Sequence, residues 1–319
     1  MEFRVTGEGV RVFILDSGID AEHPDLAPNL NTSLSTSFVP GEDYNVQPGA
    51  FFNHGSHVAG IIAAADGGGK VIGVAPKAEI VAVKVLSEYT GSGDFSWLMQ
   101  ALVYAADNDA DVINMSLGAI FYRNGFYYDE FGELQKDPTN EIQALIVALQ
   151  RAVDYAYKKG VVIVASAGND GVNLDGLGSV ITIPAEMNNI ITVSASAPHG
   201  WAYDTSVNLD EIASYSNTGR SLVDIAGPGG DFTLYPDPNY KYDMVLSTGS
   251  EAYYFAAGTS MASPHVAGVA ALIIAKNAGN ITNHEVEKQL IKTADKLDGN
   301  GKSVSFGKGR VNAYRAVTE

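Results

Sequence analysis

Short, nearly continuous runs of β-branched and apolar residues recur along the chain. They alternate with longer stretches whose apolar positions return every three to four residues. The runs at 10–16, 79–86, 111–117, 161–167, 190–195 and 222–226 predict strands. Unbroken hydrophobicity, rather than strict alternation, is the pattern of parallel strands covered on both faces. Helices are predicted over 53–64, 95–107, 140–159, 260–276 and 284–294. The third carries Ile142, Leu145, Ile146, Leu149 and Val153 on one stripe and stops at Lys158-Lys159-Gly160, a sound C-terminal signal. The fourth is Ala-rich and apolar nearly all round, as for a buried central helix. No linker or internal repeat interrupts this rhythm, so residues 1–319 read as one α/β domain with helices on both faces of a mostly parallel sheet. Two aromatic-rich segments, 119–138 and 229–254, break the pattern and read as long surface loops.

The chain has 319 residues, 46% apolar and 18% charged, a globular composition. Its net charge of −17 speaks against nucleic acid and anionic membranes as partners, because both need clustered Lys and Arg. With no cysteine, disulfides, thiolate catalysis and zinc–thiolate sites are excluded. No stretch reaches the ~18 apolar residues of a membrane span. The first residues, Met1-Glu-Phe-Arg-Val-Thr-Gly7, lack the basic and apolar regions of a signal peptide. The expectation is a mature segment.

Candidate chemistry sits at three element ends. The segment Ala257-Gly-Thr-Ser-Met-Ala-Ser-Pro-His-Val-Ala-Gly268 places Ser260 at the head of the apolar helix. A serine there is equally a helix cap, and as a nucleophile it needs a base. Asp16-Ser-Gly18 ends the first strand, and His54-Gly-Ser-His-Val-Ala-Gly60 opens the first helix. The order Asp16, His54, Ser260 is the order of the subtilisin triad. With these motifs, and with Ala165-Ser-Ala-Gly-Asn-Asp-Gly171, the chain from about Val10 to Val317 resembles the subtilisin family of serine proteases.

The resemblance implies a three-layer α/β/α fold with a mostly parallel central sheet. It implies that Ser260 is the nucleophile, His54 the general base, Asp16 its orienting acid and Asn169 the oxyanion donor. It implies a peptide or protein substrate held as an added strand between Ser92-Gly93 and Ser116-Leu117-Gly118. Leu86, Phe95, Leu98 and Leu117 would receive upstream side chains. Ala165, Gly168 and Thr182 would wall the primary pocket, where no charge is expected, so a neutral, apolar or aromatic residue precedes the cut. The loop at 119–138 would overhang the cleft on the upstream side.

Catalysis needs no cofactor, while a structural calcium is possible. Asp25 in His23-Pro-Asp-Leu26 matches a calcium ligand of the family, but the facing loop, Asp66-Gly-Gly-Gly-Lys70, brings a positive charge and no side-chain oxygen from its glycines. The family pattern further implies secretion, with an intracellular member as the alternative, a propeptide that assists folding, and a monomer. A ligase using the same acyl-enzyme, and an inactive peptide-binding scaffold, are the competing functions.

Overall fold

The first strand, β1 (Arg11–Asp16), lies at the centre of an eight-stranded sheet and is buried except at its first residue. The computed structural model describes residues 5–47, 49–50, 52–67, 69–128, 133–250, 252–299 and 301–319. After β1 come β2 (Thr36–Ser37), α1 (His54–Ala63), β3 (Glu79–Lys84), α2 (Phe95–Asp107), β4 (Val112–Met115), β5 (Ala119–Tyr122), β6 (Phe126–Tyr128), β7 (Leu134–Lys136) and α3 (Thr139–Lys158). The second half adds β8 (Val162–Ser166), β9 (Val180–Ile183), β10 (Ile191–Ala197), β11 (Glu211–Ile212), β12 (Ile225–Pro228), β13 (Val245–Gly249), β14 (Ala252–Ala256), α4 (Thr259–Lys276), α5 (Asn283–Thr293) and α6 (Ala313–Thr318).

The main sheet runs β11-β10-β8-β4-β1-β3-β2, with β12 also on β10, and only the β10–β11 pair is antiparallel. Alternation along each strand feeds two cores. Val12 and Ile14 face α1 and the apolar α4, whereas Phe13 and Leu15 face α2 and α3. Both sheet faces are therefore covered, which is why the strands read as continuous apolar runs. The architecture is a three-layer α/β/α sandwich.

The parallel strands all deliver their C-termini to one edge. Asp16 closes β1, Lys84 closes β3, Ser116 follows β4, and Asn169 follows β8 by three residues. Ligand crevices of α/β sheets form at this edge, where neighbouring connections diverge.

The two segments read as loops contain strands. β5 pairs antiparallel with β9, matching Ile120 to Thr182, and β6 pairs with β7 as a hairpin. Residues 129–132 of the first segment lie outside the described residues. In the second, β13 and β14 form a hairpin that docks on α1 through Ser247 Oγ to His57 O (2.8 Å) and Thr248 Oγ1 to Ser56 O (2.6 Å). Short, irregularly patterned strands whose partner is far away in sequence leave no clear period. The inserted stretch ahead of that hairpin is anchored by buried Asp231. Its carboxylate accepts the Ser214 N–H and hydroxyl and the Phe232 and Thr233 N–H groups, and lies 2.9 Å from His199 Nε2.

One residue inside an apolar strand is charged. Lys84 is fully buried, with Nζ 2.7 Å from Glu88 and 3.0 Å from Glu42. Glu42 also accepts the Ser87 hydroxyl and the Glu88 N–H. This trio fixes the loop that leaves β3. Removing one member of a buried ion group strands its partners without compensation. Lys84→Met should therefore cost about 3–5 kcal/mol of stability, read as a lowered denaturation midpoint in urea at unchanged slope.

Candidate active site

Asp16 is 1% exposed, and its two carboxylate oxygens lie 2.8 and 2.9 Å from His54 Nδ1. Oδ1 also accepts the Ser17 N–H at 2.7 Å. The pairing fixes the tautomer: Nδ1 carries the proton and donates to Asp16, which leaves Nε2 as a base toward the cleft. Burial alone would lower the His54 pKa, but the Asp16 charge and hydrogen bond outweigh it and hold it above the usual imidazole value. The approach of α1 to the end of β1 depends on Gly55, where a Cβ would come within 2.1 Å of the Gly18 carbonyl oxygen.

A turn further along α1, His57 is fully buried and stays out of the cleft. Its Nε2 donates to the carbonyls of Val245 (3.2 Å) and Tyr254 (3.1 Å), tying α1 to the β13–β14 hairpin. Burial and then the nearby His54 charge push its pKa down to about 4.

Ser260 is the second residue of α4. Four residues on, Pro264 has no N–H for the carbonyl four residues earlier. That carbonyl belongs to Ser260, and the Ser116 hydroxyl serves it instead at 2.8 Å. Ser116 Oγ in turn accepts from Asn114 Nδ2 (3.0 Å) and lies 2.9 Å from Ser263 Oγ. The nucleophile helix is thus bolted to the end of β4. Ser260 Oγ donates to the Ser116 carbonyl at 3.2 Å, so in this state it is turned to the strand end and not to His54. Such contacts are often loose before substrate binds.

Asn169 is oriented by Thr259, whose N–H (2.9 Å) and hydroxyl (2.8 Å) both donate to its Oδ1. This assigns the amide: Nδ2 is the end left for the cleft. The preceding residue, Gly168, has φ +99°, and a Cβ there would meet Asn217 Nδ2 at 2.4 Å. Asn217 accepts the Asp170 and Val172 N–H groups at its Oδ1 and donates to the Ala167 carbonyl, so it holds the whole turn.

One cleft gathers His54, Ser260 and Asn169 with Leu86, Ser92, Gly93, Phe95, Leu98, Ser116, Leu117, Gly118, Gly168 and Thr182. Thr182 reaches it because Ile181 and Ile183, on the other face of β9, are in the core. Ala165 does not line it. Strand alternation turns Ala165 into the core behind the sheet, and Ser166 faces the cleft. The absence of charge was expected of the primary pocket; on the lining of the whole cleft, Asp170 stands beside Asn169 and Asp94 caps α2. No Lys or Arg is among the described lining residues. Phe52, Asn217 and the Lys84 trio carry no motif and were not foreseen; Thr259 lies within the motif around Ser260, but its role in orienting Asn169 was not foreseen.

The segment at 119–138 contributes Ala119 and Ile120 to the wall. Phe121 packs edge-to-face on Phe95 at 5.6 Å.

A profile of the subtilase family matches residues 7–309. The chain belongs to the subtilase family. Subtilisin E of Bacillus subtilis (strain 168) is 38% identical over 313 residues, covering 98% of this chain and 66% of that protein. The chain thus spans just under two-thirds of the length of that relative. Subtilisin of Bacillus pumilus is also 38% identical, and there the match covers 92% of the relative. Among solved structures, the epidermin leader peptide processing serine protease of Staphylococcus aureus superposes with a TM-score of 0.79 at 27% identity, covering 97% of this chain and 74% of that one. A lanthipeptide protease gives 0.75 at 30% identity, covering 97% and 86%. The subtilase fold and the family of serine proteases are therefore established for this chain.

Asp25 lies 1% exposed at a distance from this cleft. Its Oδ2 accepts the Tyr253 hydroxyl (2.8 Å) and faces the Lys70 (3.3 Å) and Val71 (3.4 Å) N–H groups. The Lys70 ammonium stands 5.4 Å over the Tyr253 ring. Calcium takes six to eight oxygen ligands, whereas these neighbours are hydrogen-bond donors and a cation. These contacts serve Oδ2 alone; the buried Oδ1 has no hydrogen-bond partner. No group of three or more His, Cys, Asp or Glu is placed for a metal among the described residues.

The His57 pKa sets a pH test. An unfolded histidine binds a proton below about 6.5, while folded His57 resists it down to about 4. The unfolded state then binds more protons, so this contribution is complete above pH ~6.5 and lost as pH falls toward 4. The stability advantage of wild type over His57→Asn should narrow across that window, measured by melting temperature against pH.

Proposed function

We propose that the protein is a serine endopeptidase working through an acyl-enzyme on Ser260. The observation that carries this reading is the close Asp16–His54 contact at the base of the cleft that also holds Ser260 and Asn169. Ser260 Oγ attacks the peptide carbonyl carbon and its proton passes to His54 Nε2. Asp16 steadies the imidazolium. Asn169 Nδ2 and the Ser260 N–H donate to the oxyanion. The C–N bond then breaks and His54 protonates the leaving amine. Water, losing a proton to His54, attacks the ester and frees Ser260.

Leu86, Leu98, Leu117 and Phe95 support a neutral, apolar or aromatic preference around the cut, and Asp94 and Asp170 weigh against acidic residues there. The Staphylococcus aureus structural neighbour is a leader peptide processing serine protease. An unfolded leader segment is a substrate of the extended kind that the two cleft edges can hold. Family resemblance supports secretion, a folding propeptide and a monomer. Among the described residues no helix is long and apolar enough to cross a membrane. Calcium takes no part in this chemistry. Asp25 Oδ2 is held by the Tyr253 hydroxyl while its buried Oδ1 has no hydrogen-bond partner, so Tyr253→Phe should lower the melting temperature.

Wild type should cleave a quenched peptide library and take up a fluorophosphonate label, and Ser260→Ala should do neither. Labelling without cleavage, with ligated masses when an amine is supplied, would favour a ligase. Absence of both in wild type would favour a scaffold. Asn169→Ala should lower kcat about a hundred- to a thousandfold with little change in KM, a magnitude that comes from subtilisin itself. Because the base must be neutral, kcat/KM should rise with pH through a midpoint above the ordinary imidazole value.

A further inference from the structure

Phe52 belongs to no motif, yet its ring lies flat on the general base inside the cleft. The Phe52 and His54 rings are 5.3 Å apart at an interplanar angle of 7°. We infer that Phe52 is a positioning residue: its ring sets the plane of the His54 imidazole, keeps Nε2 aimed at the nucleophile and favours the imidazolium formed during turnover. This rests on the reading of His54 as general base.

The need for such a residue follows from the Asp16 contact. Nδ1 is nearly equidistant from the two carboxylate oxygens, at 2.8 and 2.9 Å. A hydrogen bond shared between two acceptors fixes distance better than tilt. A flat ring against the imidazole face restricts the tilt that is left. The aromatic face carries partial negative charge, so it attracts a neighbouring cation more than the neutral ring. Its help is therefore greatest when the proton has arrived.

Phe52 is itself well held. Its N–H donates to the Glu88 carbonyl at 2.9 Å. A Cβ on Gly91 would lie 3.4 Å from its ring, so the loop backbone packs against the ring. That loop is anchored through Glu88 and Glu42 to buried Lys84, which pairs in register with Asp16 across β1 and β3. The stacked ring joins the base to the loop that carries one substrate edge.

Titratable groups facing this unit are Asp16 from β1, His57 on α1 and Tyr254 on β14. Asp94 and Asp170 are on the lining of the same cleft, and Glu88, bonded through its carbonyl to the Phe52 N–H, is tied to Lys84 and Glu42. The variants compared differ in none of them, so a pH shift reports the ring contact.

The experiment compares wild type, Phe52→Leu and Phe52→Tyr with one good peptide substrate, recording kcat, KM, the pH profile of kcat/KM and the melting temperature. Phe52→Leu should lose about three- to tenfold in kcat with KM nearly unchanged. Its acid limb should move about half a unit lower, because the imidazolium has lost its stacking partner. Phe52→Tyr keeps the ring and should match wild type in both. If Phe52→Leu does not fold, Phe52→Met takes its place with the same expectations. An unchanged kcat and acid limb in the aliphatic variant would overturn the inference. So would a Phe52→Tyr variant as impaired as the aliphatic one. Failure of wild type to take a fluorophosphonate label at Ser260 would overturn the protease reading itself, and this inference with it.

Discussion

Everything at the site depends on keeping the Asp16 carboxylate buried and paired at the C-terminal edge of the sheet. A buried carboxylate without partners is costly. Asp16 is served by the Ser17 N–H and by His54 Nδ1, and it faces the first turn of α1, where free N–H groups favour negative charge. For this to work, α1 must start almost on top of the strand end. Gly55 permits the approach and Ser17 Oγ, accepting the Gly55 N–H at 3.0 Å, secures it. The β13–β14 hairpin then holds the helix from its far side through His57, Ser247 and Thr248.

Ser260 is placed by a compensated defect. Pro264 removes a hydrogen bond from the second turn of α4, and the freed Ser260 carbonyl is taken by Ser116. A break in a helix ladder has thereby become a link between the helix and the strand end that lines the cleft. Thr259 does the same for the oxyanion turn, since its donors orient Asn169. The proposed base, nucleophile and oxyanion donor come from three segments, and each is locked by a neighbour within hydrogen-bond reach. Positioning of this kind is what lets a site act without reorganising.

The acidic character of the chain reaches the cleft through Asp94 and Asp170. Elsewhere it is absorbed by local structure. Asp231 is held below its usual pKa: burial opposes this, but donors from Ser214, His199 and Thr233 prevail. His199, between Glu211 and Asp231, is conversely raised despite partial burial. The inserted segment before β13 is thus a folded part of the surface and not a free loop.

The main strands and helices were legible because burial on both faces leaves long apolar runs, and because helix ends carry explicit signals. The 95–107 helix falls on its predicted span, and the 260–276 helix begins one residue early, at Thr259. Asp16, His54, Asn169 and Ser260 were legible because their local motifs sit at the ends of those elements. The remaining features depend on neighbours distant in sequence. Thr182 and Ser166 reach the cleft, and Ala165 does not, through strand alternation that only the register fixes. Lys84 gains its partners only when the fold brings Glu42 and Glu88 to it. Phe52 could not be told from core or loop, because its meaning lies in a ring contact. Sequence alone determined which segments are strand, helix and motif, since periodicity and capping act over a few residues. Tertiary structure decided which side chains meet, because packing and buried charge pair residues that the chain keeps far apart.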